Sequence, residues 1–194
     1  MRLHRARIEP TPVGALTTAQ ISILDAIKGA QGKKVFRTVA RSVDALNPFM
    51  AWASYVLSTR NSLSARQREI VVLRVGFLCK SGYEWAQHVL IGRDAGLTES
   101  EIADIKSGSV SSWAGDDQVL LQASDELFNH QFVSARTWGR LRETFSEVQC
   151  MDVIFTAGTY VLVSMFLNSA GVQLEEGQTL DPDLDARTSE AGAE

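Results

Sequence analysis

Apolar positions recur at three- and four-residue spacing along most of the chain, and that period predicts helices. Thr17-Thr-Ala-Gln20 reads as a capping box opening a first amphipathic helix with Ile21, Leu24 and Ile27 on one face, stopped by Gly29 and Gly32. Val35-Phe-Arg-Thr-Val-Ala-Arg41 predicts a short second helix. A third is expected from about Asn47-Pro48 to Thr59, because proline suits a first helical turn and Phe49, Trp52, Ala53 and Val56 then share a face. Ser64-Ala-Arg-Gln67 is a second capping box. It starts a fourth helix over about residues 65–79 that is apolar on nearly every side and so belongs at the centre of the domain. Ser81-Gly-Tyr-Glu84 reads as another box, opening a fifth helix that reaches Ala95 with Gly96 as its left-handed stop, and Thr98-Glu-Ser-Glu101 caps a sixth. Beyond a Ser/Gly/Trp/Asp-rich loop at 107–116, residues 118–130, 134–145 and 147–170 predict three more helices. No strand alternation competes with these, so the expected class is all-α.

Composition supports one helical domain. The 194 residues include no proline between Pro48 and Pro182, and 45% hydrophobic with 22% charged residues is soluble globular usage, which excludes a largely disordered chain. The expected organisation is an N-terminal arm at 1–16, a helical domain at 17–172 and an acidic tail at 173–194. Formal charge is −4, yet residues 172–194 alone hold seven acids against Arg187, leaving a nearly neutral body. No Lys/Arg stripe is present to neutralise a phosphate backbone, so nucleic acid is not an expected partner. The tail and the arm with Arg2, Arg5 and Arg7 are expected to be solvated. Residues 153–174 carry no formal charge and are long enough to span a bilayer. Thr156, Ser164 and Asn168 inside the run, and acids Asp152 and Glu175 at its ends, favour instead a helix buried all round in the domain or at a subunit interface, with no membrane.

The common nucleotide, zinc and hydrolase signatures are absent. Cys79 and Cys150 show neither a CxxC nor a metal-ligand spacing, which implies no disulfide framework, no metal site and a reducing cytosol. Among the histidines, His4 lies on the arm and His130 reads as structural or exposed. His88 remains, at i+4 from Glu84 and with Ser81 one turn earlier, so the three share a helix face and can touch one substrate. A carboxylate at that distance can orient an imidazole for acid/base work, although the same spacing also makes a helix-start box and a surface ion pair. Glu69, on the apolar helix before it, is a second carboxylate that an antiparallel neighbour could bring beside His88. Arg74 on that helix either pairs with Glu69 or Asp94 or anchors a substrate carboxylate. Tyr83 and Trp85 flank the cluster. Tyr83 is kept as a candidate substrate contact, and Trp85 suits core packing.

Arg68-Glu-Ile-Val-Val-Leu-Arg74, Tyr83-Glu-Trp-Ala-Gln-His88 and Ala95-Gly-Leu-Thr-Glu-Ser-Glu-Ile102 resemble the core of the carboxymuconolactone decarboxylase family, which is related to the AhpD-like proteins. The resemblance is densest over 64–105 and extends weakly to 35–41 and 167–172, as in the longer single-domain form of the family. It implies an AhpD-like helical bundle that assembles into homo-trimers or hexamers, with the active site among the central helices near a subunit boundary. The peroxidase branch of the family uses a CxxC pair, and Ser81 and Glu84 occupy those positions here, which disfavours a thiol peroxidase. The Glu-x-x-x-His form of the decarboxylase side is matched by Glu84 and His88, and Glu69 matches the acidic member of the AhpD-like proton relay. The implied activity is a cofactor-independent lyase on a small carboxylated conjugated or lactone substrate, with His88 as proton donor, Glu84 as its orienting partner and Glu69 as a relay member. An isomerase, cyclase or dehydratase on the same scaffold, or a non-catalytic oligomeric binding protein, are the alternatives.

Overall fold

The computed structural model describes residues 1–109, 113 and 115–185, and among these it contains nine α-helices, three short 3-10 turns and no strand. The helices are α1 (Thr18–Leu24), α2 (Lys34–Val39), α3 (Val43–Val56), α4 (Ala65–Leu78), α5 (Gly82–Asp94), α6 (Glu99–Ser107), α7 (Asp116–His130), α8 (Ala135–Thr144) and α9 (Glu147–Ala170). Four capping boxes form: Thr17 with Gln20, Ser64 with Gln67, Thr98 with Glu101 and Ser146 with Gln149. Each satisfies backbone N–H groups that a helix start leaves without an internal partner.

α4 is the axis of the domain, packed against α5, α7 and α9. Every residue from Arg68 to Gly76 is buried, and Ile70, Val71, Val72 and Leu73 sit in the main apolar core with Leu120, Leu121 and Val153. Burial of side chains of this size is worth about 1.5–3 kcal/mol each, so α4 is held chiefly by its packing. The charges on this central helix all find company. Arg74 donates to Asp125 Oδ1 at 2.6 Å and to the carbonyls of Ile105 and Lys106, and Glu69 turns toward α5.

Several elements depart from the sequence expectation. α3 begins at Val43, where the Ser42 hydroxyl accepts from the Ala45 N–H, and this cap sets the start ahead of the proline. Pro48 therefore lies inside the helix, and the Asp44 carbonyl that loses a donor there belongs to an exposed residue open to water. α1 stops at Leu24 in a tight turn, leaving Ile27 to pack beyond it. The Ser81–Glu84 box does not form. Ser81 makes no capping bond, and its hydroxyl is buried without a partner because Glu84 points inward instead of back to the helix start.

Neither end of the described chain is loosely solvated. Met1 is buried, and the N–H groups of Arg7 and Ile8 donate to the Ala170 carbonyl. Glu175 accepts from Tyr83 and from the Lys34 N–H, Lys106 bridges Asp181 and Asp183, and Leu184 is fully buried. Glu175, Asp181 and Asp183, expected in a solvated tail, thus act as partners of the body; residues 186–194 lie outside the described residues.

α9 is long and apolar enough to cross a bilayer by length and composition. One face packs on the core and includes Asp152, which accepts from the N–H and hydroxyl of Ser62 at 2.7 and 2.6 Å. The expectation of burial on all sides fails within a single chain, because Val148, Met151, Phe155, Leu162 and Met165 form an exposed stripe.

Candidate functional site

The α4–α5 turn folds the two helices side by side, and Gly82 begins α5 where a Cβ would meet Leu180 Cδ1 at 2.4 Å and the Met1 nitrogen at 2.9 Å. A larger residue at that point would push α5 away from its neighbours. The packing of α4 on α5 brings Glu69 of α4 beneath His88 of α5. His88 Nδ1 and Glu69 Oε2 are 2.7 Å apart, and Glu69 is completely inaccessible to solvent. Nδ1–H donates to the carboxylate, which fixes the ring orientation and leaves Nε2 facing the other way. Glu84, one helical turn back, places Oε2 3.4 Å from Nε2, and the Tyr160 hydroxyl of α9 lies 3.0 Å from the same nitrogen. The tyrosine and imidazole rings meet edge-on with centroids 4.9 Å apart.

Burial alone would lower the proton affinity of His88, but the charge and hydrogen bond of Glu69, aided by Glu84, outweigh it and hold the imidazole above its ordinary range. Burial pushes Glu84 up to about 6, opposed by His88 and reinforced by Glu69. Burial and the two carboxylates raise Tyr160 well above its usual value, so it stays a phenol that can donate. The arrangement is an imidazole that is readily protonated, with one ring nitrogen anchored and the other presented to a small cavity.

That cavity, about 190 Å³, carries Glu84, His88, Tyr83 and Tyr160 on its lining. Phe36, Phe49, Val56, Ile91 and Val163 supply apolar walls from α2, α3, α5 and α9. A mostly apolar pocket with a few convergent polar groups suits a small organic ligand. Glu69 lies behind His88 and does not line it. Of the residues read from the sequence, Glu69, Glu84 and His88 are therefore brought together, and Tyr83 joins the cavity while its hydroxyl donates to Glu175 at 2.6 Å. Ser81 and Arg74 are not brought there. Ser81 is fully buried away from the lining, and Arg74 is spent on Asp125 and two carbonyls, so neither can touch a ligand in this cavity. Trp85 packs in the core, and His130 is exposed at the end of α7.

Tyr160 went unread in the sequence, 72 positions from His88 and on a helix that reads simply as apolar. The available signal was a tyrosine inside an otherwise uncharged run, since a buried phenol needs a hydrogen-bond partner. Among the described residues no group of three or more His, Cys, Asp or Glu could hold a metal ion. Cys79 is half-buried, and burial pushes its thiol up, away from the reactive thiolate form.

Residues 44–115, which include Glu69, Glu84 and His88, match the model of the Carboxymuconolactone decarboxylase family. That segment resembles the carboxymuconolactone decarboxylase family. No curated protein matches the sequence. Solved structures extend the relationship to the fold. An alkylhydroperoxidase AhpD core, an uncharacterized peroxidase-related protein from Ralstonia eutropha, aligns with a TM-score of 0.75 at 17% identity, covering 89% of this chain and 95% of that one. A peroxidase-related protein from Silicibacter gives 0.74 at 15% identity over 91% and 95% of the two chains. The debrominase Bmp8 in complex with 2,3,4-tribromopyrrole gives 0.70 at 9% identity over 90% and 94%. The chain thus has the AhpD-like fold over nearly its whole described length. The matched segment carries Glu69, Glu84 and His88, whereas Tyr160 and the walls from α2 and α9 come from outside it.

Proposed function

We propose that the protein is a cofactor-independent lyase that removes a carboxyl group from a small conjugated or lactone carboxylate, with His88 as general acid. The observation that carries this reading is the His88 imidazole, anchored through Nδ1 on buried Glu69 and offering Nε2 to an apolar cavity between Glu84 and Tyr160. In the reaction, the bond between the carboxylate carbon and the substrate skeleton breaks, carbon dioxide leaves, and the electron pair passes into the substrate's conjugated carbonyl. The resulting dienolate takes the proton from His88 Nε2, and the neutral imidazole is reprotonated from solvent. One proton is consumed per carbon dioxide released. Apolar walls favour this step because charge disperses from carboxylate to dienolate. Glu69 and Glu84 favour the imidazolium, and Tyr160 steadies the ring edge-on. The test is carbon dioxide release from a panel of conjugated carboxylates and carboxylated lactones, followed for the wild type and for His88 variants.

Thiol chemistry has no place in this scheme, so Cys79 and Cys150 take no part in it. Changing both to serine is expected to leave turnover within about twofold of the wild type. A large loss in steady-state assays would return a thiol to the mechanism.

The reading includes assembly. Val148, Met151, Phe155, Leu162 and Met165 recur at spacings of three, four and seven residues along the open face of α9, the spacing of a helix that packs against another helix. A second copy of the chain is the proposed occupant, giving a trimer or a multiple of it. Light scattering on the wild type is expected to show that mass, and Leu162→Glu is expected to give folded monomers. A monomeric wild type would remove the interface.

A further inference from the structure

A wide groove of about 760 Å³ opens where the α3–α4 connection meets the starts of α4 and α9, and it shares only Leu57 with the cavity that His88 faces. We propose that this groove is a binding site for a small phosphate-type oxyanion, held by Arg68 and by donors around the first turn of α4. Arg68 lines the groove and carries the argument. It is 9% exposed, yet its Nε donates to nothing and its Nη1 makes one long bond, to the Ser58 carbonyl at 3.4 Å. Nη2 has no partner among the described residues. The one carboxylate paired with it is Glu69, whose Oε1 stands 3.9 Å from Nε while Oε2 holds His88 at 2.7 Å. A buried cation is costly unless a counter-charge and hydrogen bonds meet it, and an anion arriving through the groove supplies both.

The rest of the groove suits a negative charge. None of its lining residues is acidic. Asp152, behind Ser62, does not line it, and both of its carboxylate oxygens are already occupied, one by Tyr55 and one by Ser62. Two lining residues, Gln67 and Gln149, close the capping boxes of α4 and α9, a position that glutamate fills equally well. Both are amides here, so the groove is spared two carboxylates that its helix starts would accept. Further donors stand beside Arg68. The Ala65 N–H, in the first turn of α4, and the Thr59 hydroxyl have no acceptor among the described residues. The helix start adds a field that favours an anion. A guanidinium fork joined by a hydroxyl and a backbone N–H matches a tetrahedral oxyanion, whose several oxygens can use all three.

Inorganic phosphate is the probe, titrated against the full chain by calorimetry at fixed ionic strength with chloride as the replacement ion. The wild type is expected to bind it saturably, at about 1 mM or tighter. Arg68→Gln should abolish binding. Gln67→Glu and Gln149→Glu keep the two capping boxes, and each should weaken phosphate by about tenfold or more by placing a carboxylate in the groove, with the melting temperature in chloride unchanged. If Arg68→Gln does not fold, these two variants decide. Lys33→Gln, on the lining of the other cavity, should bind phosphate as the wild type does. Glycerol 3-phosphate separates the sources of the group: binding tighter than that of phosphate marks a phosphomonoester ligand and weaker binding marks the free ion, and both outcomes keep the site. Absence of saturable binding in the wild type, wild-type affinity in Arg68→Gln or in both glutamate variants, or loss of binding in Lys33→Gln would overturn the assignment. None of these readouts involves turnover, so the site stands or falls apart from the proposed reaction.

Discussion

Replacing His88 by alanine is expected to lower turnover by ~10²–10⁴-fold, the range that a positioned general acid contributes. The same change removes the partner of a carboxylate with no solvent access, since Glu69 then loses its 2.7 Å bond inside the core. A buried group left without its partner costs about 1–3 kcal/mol, more if charged, so the variant should also melt earlier while remaining folded. His88→Gln separates the two effects, because its amide can still donate to Glu69 but cannot deliver a proton at the required acidity. Loss of turnover in both, with circular dichroism of the wild type in His88→Gln, is the expected outcome. Wild-type turnover in either variant would take His88 out of the chemistry.

Glu69→Gln carries the second large effect, and its signature is a shift along the pH axis. Glu69 acts through His88 and does not line the cavity, which makes it a positioning residue. Its charge and hydrogen bond are the main forces lifting the proton affinity of His88 against burial. The acid form is the active one in the scheme, so the rate should fall as pH rises through the raised imidazole value. Without the Glu69 charge that value drops, and the alkaline limb of the kcat/KM profile should move to lower pH, with about 10–100-fold less activity near neutrality. Glu84→Gln should move the same limb in the same direction by less. It should also remove any acid limb near pH 6, where Glu84 titrates. A profile that keeps the alkaline limb of the wild type in Glu69→Gln would mean that the Glu69 contact only fills space.

Much of this site was legible from spacing. Glu84 and His88 are one turn apart on α5, and the all-apolar character of α4 required that Glu69 find a partner close by. Local patterns also located most helix starts, because Ser or Thr followed three residues later by Gln or Glu is satisfied within its own turn. The same pattern misled at Ser81, where Glu84 has a stronger attraction in the fold than in its own turn: the imidazole of His88. What spacing could not supply was contact between distant helices. Arg74 finds Asp125, not Glu69 or Asp94, and Tyr160 reaches His88 only because α9 crosses both α4 and α3. The acids of residues 175–183 follow the same logic. Composition reads them as a solvated run, whereas Lys34, Tyr83 and Lys106 on the folded body give them partners.

The fold is shared with peroxidase-related proteins and with a debrominase, so the chain's own residues decide its chemistry. Ser81 and Glu84 at the head of α5 leave no vicinal thiols, while the buried carboxylate, imidazole and phenol leave a proton-transfer group facing an apolar cavity. The most direct test runs two assays on one preparation. Carbon dioxide release is followed from conjugated carboxylates and carboxylated lactones in deuterium oxide, and tert-butyl hydroperoxide reduction is followed with a dithiol reductant. The account predicts carbon dioxide release from at least one member of the panel, one deuterium at the carbon that lost the carboxyl group, no hydroperoxide reduction, and loss of turnover in His88→Gln. Hydroperoxide reduction that survives His88→Gln but not Cys79→Ser, with every carboxylate left intact, would contradict it.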